Sequence, residues 1–386
     1  ASVKRSLDGN PVGCFLSGGI DSSTIAGMLS ELQPSSRTFT IGFQEEGYDE
    51  TTFARVTANH FATDHAEYFM SPANVVDALP IIAAAYDEPF GNSSVVPTYY
   101  CAKLARENGI STMLAGDGGD ELFGGNVRYV TQQVFGLYGR IPASIRANAI
   151  EPLLNGLPGA ERLSLTRKMQ SYIRQAKIPM PDRLETYNHL SRTPISEVLH
   201  PDFHQSIDEE APLRSMRETY SLATASSMLN KMLQLDWKYT LADNDLRKVN
   251  RMCELAGVNV RYPFLDDELV AISSHIPPQL KIRFFKLRYF FKHAMRDFLP
   301  SEVLGKSKHG FGLPFGVWMQ SFEPLSTLAY DCLSDLRKRN IVRSEYLDDL
   351  ISSHRSSHAH FYGEFIWVLM MLELWLQQRP QSPTVT

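Results

Sequence analysis

Two short strings in this chain combine glycines, hydroxyls and acids in a way that suits chemistry on phosphates. The first, Ser17-Gly18-Gly19-Ile20-Asp21-Ser22-Ser23, follows the apolar run Val12 to Leu16 and leads at once into a helical pattern over Thr24 to Leu32. Strand, glycine turn and helix in that order make an anion nest, because the turn bares backbone N–H groups and the helix dipole adds positive potential. An acid inside such a nest repels phosphate, so Asp21 points to a bridging Mg²⁺. The plainer reading is a glycine turn capped by Asp21 or Ser22. No Gly-Lys-Ser/Thr follows, so the string is not a Walker loop. The second string, Gly116-Asp117-Gly118-Gly119-Asp120-Glu121, follows the apolar run ending at Ala115. Carboxylates this close repel one another unless a cation sits among them. A solvated or calcium-like acidic turn is the plainer alternative.

The first string, with Leu16 before it, resembles the pyrophosphate loop of the ATP pyrophosphatases, and in particular that of asparagine synthetases and the related β-lactam synthetases. The second resembles the Gly-(Glu/Asp)-Gly-(Ser/Gly)-Asp-Glu motif of asparagine synthetases. The resemblance implies ATP as the nucleotide, with Ser17, Gly18, Gly19, Ser22 and Ser23 around its pyrophosphate and adenine against the backbone near Leu16 and Ile41. It implies that Asp120 joins Asp21 in holding Mg²⁺, that Gly116 approaches the nucleotide, and that Asp117 stands at the position of a catalytic carboxylate. Many relatives carry the longer Glu there.

Three later stretches extend the likeness. Asn92-Ser93-Ser94 matches the segment that lines the carboxylate-substrate pocket in the family, with Ser93 as the expected pocket residue. Aspartate-specific enzymes place a cation there, and its replacement by neutral residues keeps other acids open. Asp236 to Met252, followed by Arg261-Tyr-Pro-Phe-Leu-Asp266, resembles the family's helix and turn and implies that Asp245 and Lys248 face the site. Lys306-Ser-Lys308-His-Gly-Phe311 resembles its Lys-x-Gly-Phe segment, which favours Lys308 over Lys306 as the catalytic lysine. A basic surface loop is the alternative reading of that segment.

These residues need a frame that brings strand ends together. Val12–Leu16, Arg37–Phe43, Glu67–Phe69 and Ser111–Ala115 read as strands, with helical patterns over Thr24–Leu32, Thr51–Phe61 and about Pro97–Asn108 between them. That alternation predicts an α/β, doubly wound parallel sheet of the adenine nucleotide α-hydrolase type, with ligands at the carboxyl ends of the strands. We divide the chain into an ATP pyrophosphatase core (1–135), a helical cover broken by prolines (136–230) and a helical completion (231–386) that returns the Lys308 loop to the site. Glu364 to Gln377 is apolar nearly all round and predicts a buried closing helix.

The 386 residues suffice for one large or two ordinary domains, and 43% hydrophobic with 21% charged residues is an enzyme-like composition. A net charge of -5 argues against a protein that coats nucleic acid. Cys14, Cys101, Cys253 and Cys332 form no Cys-x-x-Cys pair, which disfavours a zinc ribbon or a tRNA-thiolating relative and fits a reducing compartment. With no signal-peptide pattern and no spanning stretch, the expectation is a cytoplasmic protein without membrane partners. The opening of the sequence corresponds to the point that a glutaminase domain precedes in glutamine-dependent asparagine synthetases. A truncated chain and a naturally separate subunit both fit. The expected activity is therefore an ATP-dependent amide-forming ligase acting on aspartate or a similar acid with ammonia, possible as a homodimer. The same adenylation on another acid is the alternative, and a non-catalytic ATP-binding subunit is the alternative of another class.

Overall fold

A computed structural model describes residues 1–7, 9–45, 47–152, 164–306 and 312–379. Its centre is a five-stranded sheet of β1 (Val12–Phe15), β2 (Arg37–Gly42), β3 (Asp64–Phe69), β4 (Thr112–Leu114) and β5 (Asn259–Arg261), in the order β3-β2-β1-β4-β5. Every pairing is parallel, with Cys14 opposite Thr38 on one side and Leu114 on the other. Parallel neighbours require crossovers, and helices supply them. These are α1 (Ile20–Leu32) after β1, α2 (Thr51–Phe61) after β2, and α3 (Pro72–Ala85) with α4 (Val95–Glu107) between β3 and β4.

Both faces of the sheet are covered, as a parallel sheet demands. Phe39, Ile41 and Met113 pack with Val75, Leu79 and Ile82 of α3. Cys14, Leu16 and Leu114 pack on the other face with Ile25 and Leu29 of α1 and Ala54 of α2. The inner strands β1, β2 and β4 are thus mostly buried on both sides, whereas the edge strands β3 and β5 are partly exposed. The fifth strand comes from the third sequence segment, so the sheet draws on residues well beyond 135.

After β4, a short helix α5 (Gly119–Phe123) carries Asp120 and Glu121 of the second acidic string, with Asp117 in the turn before it. Among the described residues from 127 to 152 and from 164 to 235 the chain is mainly helical, with a cluster around Tyr129, Leu184, Leu229 and Met232. The helix Met228–Leu235 continues through Asp236–Leu246, with i→i+5 turns, into α6 (Arg247–Leu255), which packs on α4. Widened turns of this kind re-aim side chains within a continuous helix. The chain then adds α7 (Tyr289–Ala294), α8 (Phe315–Ser321), α9 (Glu323–Lys338), α10 (Ser344–Ser356) and α11 (Ala359–Gln377). The last begins five residues before the sequence pattern suggests and buries Phe365, Ile366, Trp367, Met370 and Leu374 against α3, α8, α9 and α10. Among the described residues no helix is long and apolar enough to cross a membrane.

Candidate active site

The strand order reverses at β1. From there β2 and β3 build outward on one side, and β4 and β5 on the other, so the crevice for a ligand lies beyond the carboxyl ends of β1 and β4. Both glycine–acid strings sit at those two ends. A cleft of about 1010 Å³ opens there, lined among others by Leu16, Ser17, Gly19, Asp21, Ser22, Ile41, Gly116, Asp117, Asp120, Asp245 and Lys248. Residues from four separate stretches of chain thus share one cavity, of a size that holds a nucleotide and a small acid together.

The first loop is organised from within. Gly18 has φ +69°, and a Cβ on it would lie 2.5 Å from the Ala54 nitrogen of α2, so a side chain is excluded by conformation and by space. α1 then starts at Ile20 with Gly19 as its cap residue. Ser22 Oγ ties the turn together, accepting from the Ser17 amide at 3.2 Å, lying 3.0 Å from Ser17 Oγ and donating to the Gly19 carbonyl at 3.2 Å. Two predicted loop residues do not line the cleft. Gly18 packs on α2, and the Ser23 hydroxyl is buried 2.8 Å from Thr57 Oγ1, because the helical turn rotates it into the α1–α2 interface.

Across the crevice, Gly119 faces Asp21: a Cβ there would come within 2.6 Å of the Asp21 carboxyl carbon. That absence of a side chain lets the two strings touch. Asp21 and Asp120 meet at Arg288, whose Nη2 stands 2.7 Å from Asp21 Oδ2 and pairs also with Asp120 Oδ1. A cation therefore already occupies the space between the carboxylates, and the pair fits a divalent ion by charge and donor type. Among the described residues no cluster of three or more His, Cys, Asp and Glu could hold a metal. A hard cation here would complete its shell from phosphate oxygens and water, the usual habit of Mg²⁺.

Asp117 lies farther along the same loop. Burial pushes its carboxyl up to about 6; Lys248 pulls the other way, while Asp245 and Asp21 reinforce the rise. Lys248 itself is held by Asp245, Nζ to Oδ1 at 3.0 Å. A carboxyl poised near neutrality in a cleft is suited to exchanging protons.

The segment before α4 is placed differently from the sequence reading. Asn92 and Ser94 line the cleft, whereas Ser93 faces a separate small cavity with Gly91, Leu313, Gly316 and Glu364. Asn92 explains the alternation. Its Oδ1 accepts from the Ser94 amide at 3.0 Å and from the Ser94 hydroxyl at 2.6 Å, while its Nδ2 donates to Asn244 at 3.1 Å. That turn directs the residues on either side of Ser93 inward.

Lys308 lies outside the described residues. Lys306, the residue passed over in its favour, lines the cleft 3.0 Å from Glu50 and 3.4 Å from the Ser17 carbonyl, with its ammonium 4.7 Å from the centre of the Phe53 ring. Arg288, Glu50 and Lys292 also line the cavity and were not singled out by sequence. Arg288 belongs to no glycine motif. Its only signal was the basic pair Lys286 and Arg288 ahead of the apolar Tyr289-Phe290-Phe291.

The Asparagine synthase family pattern matches residues 1–377. Asparagine synthetase [glutamine-hydrolyzing] 1 of Bacillus subtilis is 26% identical over 371 residues, covering 95% of this chain and 56% of that protein. A putative asparagine synthetase [glutamine-hydrolyzing] of Mycobacterium tuberculosis is 28% identical over 371 residues, covering 94% and 54% respectively. A protein named Amidase chyE in Penicillium rubens is 24% identical over 354 residues, covering 80% of this chain and 50% of its own length. The chain spans about half the length of these curated relatives. With a parallel sheet, two glycine–acid loops at its switch point and a family match over nearly every residue, this chain belongs to the asparagine synthase family.

Proposed function

We propose that the chain is the synthetase part of an ATP-dependent amide-forming carbon–nitrogen ligase. The observation that carries this reading is the meeting of the two glycine–acid loops, at the ends of β1 and β4, in a cleft that also holds Asp117. A substrate carboxylate oxygen attacks the α-phosphorus of ATP, and the bond to pyrophosphate breaks. Ammonia then attacks the acyl carbon, AMP leaves, and the surplus proton on nitrogen passes to Asp117. The Ser17–Ser22 turn cradles the departing pyrophosphate, with Lys306 beside it, and Lys308 is assigned the same role by the likeness of its segment to the family's. Leu16 and Ile41 wall the nucleotide base. Mg²⁺, when bound at Asp21 and Asp120, neutralises charge on the phosphates.

Aspartate is the favoured acid, with asparagine as product. A second reading, the same chemistry on another acid, has its own support: Asn92 and Ser94 are neutral, and Lys248 is already engaged by Asp245. In this proposal a glutaminase unit supplies ammonia to the full protein, which works in the cytoplasm, as a homodimer in one form of the reading. The four cysteines are free and buried, in keeping with a reducing compartment.

The deciding experiment follows pyrophosphate and AMP release from ATP, Mg²⁺ and ammonium across a panel of carboxylic acids, with Asp21→Ala as the blank. Acid-dependent release with amide formed supports the ligase, and the responding acid selects between the two readings. ADP and phosphate as products, or equal release by the blank, would sink it.

A further inference from the structure

Arg288 is buried, at 7% exposed, and touches both acids of the candidate cation site. The contact is built into the surrounding chain. Gly125 lies directly behind it, and a Cβ there would collide with Asp120 Oδ1 and come within 2.7 Å of Arg288 Nη2. The backbone that delivers the guanidinium is unusual. Phe284, Phe285 and Arg288 have φ of +49°, +61° and +52°, the left-handed region that non-glycine residues avoid. The Arg288 amide donates to the Gly124 carbonyl at 3.2 Å, so this turn is anchored to the acidic loop itself. Phe284 is 79% exposed, and Phe285, Lys286 and Leu287 line the cleft with Arg288. Left-handed non-glycine residues persist where the surroundings force them, and they gather at switch regions.

We propose that Arg288 is an internal counter-cation of the Asp21–Asp120 site: it bridges the two carboxylates in the metal-free protein, yields that place to a divalent cation, and turns to the phosphate oxygens in the cleft. The inference rests on the reading of Asp21 and Asp120 as cation ligands. One guanidinium and one divalent ion cannot both sit between the same two carboxylates. Displacing the guanidinium therefore weakens apparent cation affinity by the fraction of molecules in which the site is open. Its planar fork of donors then suits phosphate, which arrives with the cation. The device would keep two facing acids neutralised and the two loops in register before substrate binds.

The test uses the whole chain with Mn²⁺ alone as the probe, its free concentration read by electron paramagnetic resonance. Without nucleotide, Arg288→Gln is expected to bind Mn²⁺ about tenfold or more tightly than the unmodified protein. Mn²⁺ is also expected to raise its melting temperature more than that of the unmodified protein. With ATP present the order reverses, because the variant lacks the guanidinium contact to phosphate. Unchanged or weaker Mn²⁺ affinity in a folded Arg288→Gln protein would overturn the proposal. Should that variant not fold, Arg288→Met keeps an unbranched apolar stem but carries no charge to set between the acids, and it must shift affinity in the same direction. An unchanged value there is equally fatal. Asp21→Asn and Asp120→Asn separate the two layers. Mn²⁺ binding that needs the acids but ignores residue 288 sinks this inference alone, whereas no Mn²⁺ binding even with ATP sinks the cation-site reading beneath it.

Discussion

Asp117 shows how a single residue's surroundings set its chemistry. Its folded-state pKa, about 6, lies above the ordinary 3.8 because burial penalises the charge. In the pH interval between those values the unfolded chain has already lost the proton that the folded one retains. Stability contributed here therefore falls as pH rises through that interval and stays lower above it. Asp117→Asn removes the penalty, so the variant should gain roughly 1–3 kcal/mol over the parent at pH 8 and almost nothing at pH 4. Urea melts at the two pH values check this, and a gap of equal size at both would refute it. As a base, Asp117 must be deprotonated, so amide formation should climb through about pH 6 and collapse in the same variant. A second residue-scale case lies far from the cleft. Glu373 is 0% exposed in the apolar closing helix, held by Arg339 through bonds of 2.6 and 2.8 Å. Arg339→Leu should lose about 3–5 kcal/mol by stranding that carboxylate, and adding Glu373→Leu should recover most of it. Failure of the second change to rescue would mean the pair does more than neutralise itself.

At the scale of elements, close backbone approach recurs. α8 crosses α11 at Gly316 and Gly363, where a Cβ on Gly316 would strike the Ala359 carbonyl oxygen and come within 3.1 Å of the Gly363 Cα. Neither backbone can retreat without opening the core around Trp318 and Trp367. Gly316→Ala should therefore destabilise by at least about 1–3 kcal/mol, the range for overpacking, despite alanine's better helix propensity. A neutral or stabilising melt would show that the helices slide freely. The i→i+5 stretch Asp236–Leu246 matters differently: it feeds α6 from a helix that started around the Tyr129 cluster, and so links the proline-rich cover to the wall bearing Asp245 and Lys248.

For the whole molecule, the cleft is where distant parts of the chain are joined. Its walls come from β1, β2, the loops after β1 and β4, the helix bearing Lys248 and the Arg288–Lys306 region, so a ligand there should stabilise the molecule as a unit. At about 100 times its dissociation constant, ATP with Mg²⁺ should add roughly 2.7 kcal/mol, visible as a higher melting temperature. The gain should vanish in Asp21→Ala. An equal shift in that variant would place the nucleotide elsewhere.

Local rules were enough to read much of this from sequence. Apolar runs, glycine turns and hydroxyls identify β1, β4 and their loops, because strand, turn and helix N-terminus are decided by neighbours along the chain. The closing helix is legible for the same reason, since an all-round apolar stretch must be buried. The sites of Asp21, Asp117 and Asp120 at strand ends follow from the alternation of strands and helices. Other features depend on contacts between residues far apart in sequence. Ser23 and Ser93 carry the right chemical groups, yet a helical turn and an asparagine-capped bend point them away from the cleft. Arg288 carries no motif, and more than 260 residues separate it from Asp21. Only the tertiary structure places it between the two acids, because a charge pair is set by distance in space and leaves no periodic trace in the chain.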